Sequence, residues 1–102
     1  YISYIPKDKI VGLSKFARIV EWFSRRPQIQ EELTEQISSY IQKTLEPAGC
    51  GVYITSKHSC MSMRGVNENN SFMDTCSLKG IFLTGADTKL EFLKFVEMKK
   101  CR

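Results

Sequence analysis

The spacing of apolar residues changes period several times along the chain, and each change marks a predicted boundary. The opening "YISYI" is strand-forming and stops at Pro6, after which "KDK" is polar and "IVGL" is apolar again. From Ser14 the apolar positions fall at Phe16, Ile19, Val20 and Phe23, one face of an amphipathic helix with Ser14 as its expected N-cap. Pro27 disfavours helical geometry in the residue before it, so that helix should end near Arg25 and Arg26. A second helix is predicted to begin at Pro27 and to bury Ile29, Leu33, Ile37, Ile41 and Leu45 before "EPAG" closes it. Residues 51–66 then read as a strand, "NENN" as a turn, and "SFMDTCSLKGIFL" as a second strand antiparallel to the first. The final "TKLEFLKFVEMKK" reads as a helix, with Thr88 and Glu91 forming a capping box. The order is strand, two helices, two strands, helix: an α+β domain with helices set apart from an antiparallel sheet.

The first of the paired strands also carries chemistry. In extended geometry Val52, Ile54, Ser56, His58, Cys60, Ser62 and Arg64 share one face, while Tyr53, Thr55, Lys57, Ser59, Met61 and Met63 share the other. The only histidine of the chain, a thiol and a guanidinium are thus lined up, the groups wanted for proton transfer, soft-metal ligation and anion binding. The structural alternative makes Cys60 a small apolar filler and leaves His58 and Arg64 with ordinary polar contacts. Met61 and Met63 suit sheet packing better than metal binding.

Charge adds a second anomaly. Lys15 and Arg18 lie on one face of the first helix, near the end where unpaired amides and the macrodipole are already positive. An anion there would convert a small repulsion into attraction, and the preceding Gly12 lets a ligand approach the backbone closely. Glu31 and Glu32, by contrast, are well placed electrostatically in the first turn of the second helix.

Composition narrows the class. A chain of 102 residues, 42% hydrophobic and 25% charged, is composed as one globular domain with a modest core, which oligomerisation would help to bury. Its net charge of +4 is spread among interspersed acids and bases, which fits a small polyanionic ligand better than a nucleic acid. No apolar run approaches the ~20 residues of a membrane helix, so no membrane partner is expected. The cysteines Cys50, Cys60, Cys76 and Cys101 lack Cys-x-x-Cys spacing, and reduced thiols in a cytoplasmic protein are expected. With no initiator methionine, and with Tyr1 already inside a strand-like run, the chain reads as part of a longer one.

The stretches "GLSKFARIVEWFSRRPQIQEELTEQI" and "HSCMSMRGV" resemble the C-terminal half of GTP cyclohydrolase I, and the likeness runs from "YIP" to the last helix. That resemblance implies a tunnelling fold, in which sheets from several subunits close into a barrel, and a homo-oligomer, normally a toroidal decamer with sites at subunit interfaces. It implies that residues 1–102 are the C-terminal part of the catalytic domain. The activity implied is zinc-dependent opening of the purine ring of GTP, with release of formate and formation of dihydroneopterin triphosphate. By position, Cys60 matches a zinc ligand and His58 the histidine of proton transfer at the ribose. Lys15, Arg18 and Arg64 match the triphosphate-binding cations, and Ser14 a nucleotide contact. Glu31 matches the carboxylate that reads the guanine edge, with Gln30 and the backbone of Ile29 beside it. The remaining zinc ligands of the family lie upstream of the region matched by Tyr1, and a catalytic zinc normally takes three protein ligands. "SFMDTCS" departs from the family pattern through Met73 and Asp74, which places an acidic group near the expected triphosphate path. The rival reading is a non-catalytic copy that assembles with complete subunits and lends them Lys15, Arg18 or Glu31. The resemblance leaves open whether a regulatory protein docks on it.

Overall fold

A computed structural model describes residues 1–57 and 72–100. The elements run β1 (Ile2–Ile5), α1 (Leu13–Ser24), α2 (Gln30–Leu45), β2 (Gly49–Lys57), β3 (Phe72–Gly80), α3 (Ile81–Thr84) and α4 (Ala86–Lys100). The three strands form one sheet in the order β1-β2-β3, antiparallel throughout, so the expected α+β class and the antiparallel pairing hold. The predicted strand over residues 51–66 starts earlier, at Gly49, and its part beyond Lys57 lies outside the described residues.

Strand alternation decides what covers each face. Cys50 and Val52, with the partly buried Ile54, pack beneath the stripe Ile37, Ile41 and Leu45 of α2. Ile2 and Tyr4 of β1 join them, as do Phe16, Ile19, Val20 and Phe23 of α1. Tyr53 and Leu78 point the opposite way, against Phe82, Phe92 and Val96. Helices thus cover both faces of the sheet, α1 and α2 one and α3 and α4 the other. Gly51 makes the second layer possible, since a Cβ there would meet the Phe92 ring at 3.0 Å and the Phe82 ring at 3.1 Å.

Beside its apolar stripe α2 carries a polar seam along β3. Thr34 lies 2.6 Å from Thr75, and Ser38 lies 2.6 Å from Ser77. Ser77 donates to Glu35 at 2.9 Å, and Lys79 forms an ion pair with the same carboxylate. The Lys79 bond holds the Glu35 carboxyl below its usual range; burial opposes this, and Ser77 and Ser39 add to the lowering. Stability from the pair is present above the ordinary glutamate pKa and lost as pH falls through the lowered one. Glu35 is 55% exposed, so solvent screening keeps that contribution small.

Three predicted boundaries are corrected. Ser14 is not the N-cap of α1: Gly12 holds that position, its carbonyl accepting from Lys15 N at 3.1 Å. Pro27 does not open α2, which begins at Gln30 with Ile29 as N-cap. The intervening residues close α1 instead, with the Gln28 amide donating to the Phe23 carbonyl at 2.6 Å. The predicted strand through "GIFL" ends at Gly80, and Ile81–Thr84 makes a helical turn. This turn runs into α4 through Gly85, whose carbonyl accepts from Lys89 N at 3.0 Å, so Thr88 lies inside α4 and does not hold the N-cap position.

Gly80 makes that turn with φ 64° and ψ −134°, a region open almost only to glycine. A Cβ there would lie 2.3 Å from the Ala48 carbonyl oxygen. Gly80→Ala should therefore destabilise the protein by more than the ~1–3 kcal/mol of backbone strain alone. A lower urea midpoint at unchanged denaturant slope is the expected result.

Candidate functional site

The described candidate residues fall into two groups on opposite flanks of α2. In the first, Ser14, Lys15 and Arg18 are exposed on α1. Lys15 and Arg18 line a cavity of about 280 Å³ with Ile19, Trp22, Phe23 and, from α2, Tyr40. The Arg26 guanidinium stacks over Trp22, 4.1 Å from the ring centroid, and adds a cation at the aromatic wall. Among the described residues neither Lys15 nor Arg18 has an ion-pair partner, whereas Lys9, Arg25 and Lys79 are each paired. The first turn of α1 contains no acid to offset them.

The second group is the start of α2. Glu31 is exposed in the first turn, where the dipole favours its charge, and no described residue pairs with it. Ile29 is 60% exposed and supplies the N-cap backbone. Gln30 turns inward, and its side-chain amide is engaged with β2 and β3.

Glu31 and Tyr40 are nine positions apart, so they stand about half a turn round α2 from one another and roughly 14 Å apart along it. The carboxylate and the Lys15–Arg18 cavity therefore do not meet within this chain. His58, Cys60 and Arg64 lie outside the described residues. Asp74 accepts from the Tyr53 hydroxyl at 2.9 Å, on the face of the sheet turned away from α1 and α2.

Sequence reasoning missed the aromatic wall and the inward Gln30 side chain. A signal for Trp22 was present, one helical step of four from Arg18 and hence on the same face. Gln30 left none, because its partners come from strands far off in the chain.

The described residues do not fit a metal centre: they contain no group of three histidine, cysteine or carboxylate side chains that could share an ion. Cys50 is fully buried, donates to the Ser38 carbonyl at 3.5 Å, and has its thiol pushed up by desolvation from 9.0 to about 11. A zinc ligand must be a thiolate, which that environment opposes.

Fold and charges together describe an α+β domain with two cations at an aromatic cavity on one flank of α2 and an exposed carboxylate on the other. The sequence model of the GTP cyclohydrolase I family matches residues 1–97, and the chain belongs to that family. GTP cyclohydrolase 1 from Chlorobium chlorochromatii is 52% identical over 97 residues, 95% of this chain and 44% of that protein. The GTP cyclohydrolase 1 of Leptospira biflexa is 52% identical over 96 residues, covering 94% of this chain and 52% of its own length. For that of Aquifex aeolicus the identity is 50% over 97 residues, with 95% and 53% covered. The chain spans about half the length of the curated relatives it matches.

The state of Cys50 can be checked directly. At neutral pH a thiol reagent should modify the exposed Cys76 and leave Cys50 untouched until denaturant is added, as mapped by peptide mass spectrometry. Prompt labelling of native Cys50 would contradict its burial.

Proposed function

We propose that this chain is the C-terminal, nucleotide-binding half of a GTP cyclohydrolase I. That enzyme hydrolyses the purine ring of GTP, releases C8 as formate, and yields 7,8-dihydroneopterin triphosphate for folate or biopterin synthesis. The observation that carries the reading is the set of uncommitted charges in a chain of this family: Lys15 and Arg18 around an aromatic cavity, and Glu31 at the start of α2.

In this reading Lys15, Arg18 and Arg64 bind the triphosphate, three cations against its four negative charges, with Ser14 a further nucleotide contact. Glu31 accepts hydrogen bonds from N1–H and the N2 amino group of guanine, beside the backbone of Ile29 and Gln30. His58 transfers protons at the ribose. Cys60 is the chain's contribution to a zinc site whose other ligands belong to the upstream half; the described residues offer no substitute for them.

The separation of Glu31 from the Lys15–Arg18 cavity supports a site shared between protomers, each giving one half. Ile10 and Leu13, flanking the N-terminus of α1, are 79% and 88% exposed, which supports burial against another copy. A homodecamer with barrel-closing tunnelling-fold sheets satisfies both features. Among the described residues no helix is long and apolar enough to cross a membrane. A GTP-consuming enzyme with free thiols belongs in the cytoplasm.

Two experiments on the full-length protein test the binding roles. Lys15→Ala, Arg18→Ala or Arg64→Ala should each weaken GTP binding by about 1.5–3 kcal/mol before salt screening, and leave guanosine binding nearly unchanged. Equal losses for both ligands in calorimetric titrations would remove the phosphate assignment. Glu31→Gln replaces one acceptor by a donor, so GTP affinity should fall by a similar amount at unchanged thermal stability. A variant that binds GTP as the parent does would leave Glu31 as a helix-end charge only.

A further inference from the structure

We propose that Gln30 is a positioning residue: its side chain clamps the first turn of α2 to β2 and β3 and thereby aims the neighbouring Glu31. The inference rests on the assignment of Glu31 to the guanine edge. A carboxamide has two N–H donors and one oxygen acceptor. Nε2 of Gln30 lies 3.1 Å from the Ile54 carbonyl, 2.9 Å from the Met73 carbonyl and 3.1 Å from Thr75 Oγ1. Its Oε1 accepts from the Ser56 hydroxyl. Both donors are therefore shared among strand acceptors, and none remains for a nucleotide.

The backbone of Gln30 is held by the same network. Thr34 is 1% exposed and its hydroxyl donates to the Gln30 carbonyl at 2.8 Å. With the Thr34 proton so used, the 2.6 Å contact between Thr34 and Thr75 is a bond donated by Thr75. The ring closes: Gln30 amide to Thr75, Thr75 to Thr34, Thr34 to the Gln30 carbonyl. Two strands and the first turn of α2 are tied at one residue, and closed networks of this kind hold a single geometry. Successive helical residues diverge by about 100°, so fixing Gln30 inward on the sheet fixes Glu31 outward beside it. No described residue holds Glu31 by its own side chain, so its direction depends on that turn.

Base selectivity reads this role, because a purely structural effect lowers all nucleotides together. In the full-length protein, kcat/KM is measured for GTP and for inosine triphosphate, which lacks the N2 amino group, in Gln30→Leu, Thr75→Val and the double variant. Gln30→Leu and Thr75→Val should each reduce the preference for GTP by about tenfold, the effect of misaiming one charged hydrogen bond. The double variant should lose little more than the larger single effect, since both changes open one ring. If Gln30→Leu does not fold, Ser56→Ala removes a different bond of the clamp and should give the same loss of preference. A loss of preference confined to Gln30→Leu, with Thr75→Val and Ser56→Ala normal, would overturn the proposal in favour of direct contact with the base. Equal losses for the two nucleotides in every variant would overturn it as well. Glu31→Gln separates the two possible failures. If it leaves the GTP preference unchanged, the guanine assignment itself is wrong; if it abolishes the preference while the clamp variants retain it, only the positioning role is wrong.

Discussion

The seating of α2 across β2 and β3 is the contact on which the rest of the chain depends. Its apolar stripe of Ile37, Ile41 and Leu45 drives the contact, because these side chains and Cys50 and Val52 beneath them are withdrawn from water together. Burial alone would tolerate a shift along the helix. The polar seam does not: Thr34 and Ser38 are one helical turn apart, matching the spacing of Thr75 and Ser77 along β3, so a partial slide breaks both pairs and a full-turn slide still leaves one hydroxyl on each element without its partner, at about 1–3 kcal/mol for each. Apolar area supplies the driving force and the hydroxyl pairs supply the register. With α2 so fixed, its first turn presents Glu31 at one end, and its opposite flank forms a wall of the Lys15–Arg18 cavity.

The central strand transmits this order across the sheet. Because side chains alternate, Cys50, Val52 and Ile54 serve the α2 side while Gly51 and Tyr53 serve the other. The missing side chain at Gly51 admits Phe82 and Phe92 to the backbone, and the edge-to-face contact of those rings, 5.6 Å between centroids, anchors α3 against α4. The pairing of β2 with β3 runs from Gly49 opposite Gly80 to Lys57 opposite Phe72, so both layers share one rigid reference.

Charges on this scaffold divide into those that are spent internally and those that are left over. Glu35 with Lys79, Glu21 with Arg25 and Glu46 with Lys9 neutralise one another at the surface. Lys15, Arg18 and Glu31 have no such partner among the described residues. Repulsion at the α1 N-terminus is a small standing cost, a few tenths of a kcal/mol for each cation by the usual surface magnitude. A bound anion would remove it.

Periodicity was sufficient for the strands and the three longer helices. The three-and-four spacing of Phe16, Ile19, Val20 and Phe23 and the stripe from Leu33 to Leu45 define helices because only that geometry gathers those residues on one face. Alternation around Val52 and Ile54 likewise assigns β2 and its two faces, and the misplaced cations Lys15 and Arg18 were readable as unmatched local electrostatics. Boundaries were less legible. Ser14 and Thr88 have cap chemistry, but backbone bonds from Gly12 and Gly85 already start those helices; Pro27 was overruled by the closure of α1, and "GIFL" by the positive φ of Gly80. Tertiary structure alone decided the second helical layer, the placement of Asp74 across the sheet from Lys15 and Arg18, and the clamp at Gln30. Each of these depends on partners from distant segments: Gln30 and Thr75 are 45 positions apart, and Tyr53 and Asp74 are 21. Local sequence expresses the preferences of one helix or one strand for water or for its own backbone. Which polar side chain finds which partner is settled only when packed surfaces bring those segments together and exclude the water that would otherwise satisfy them.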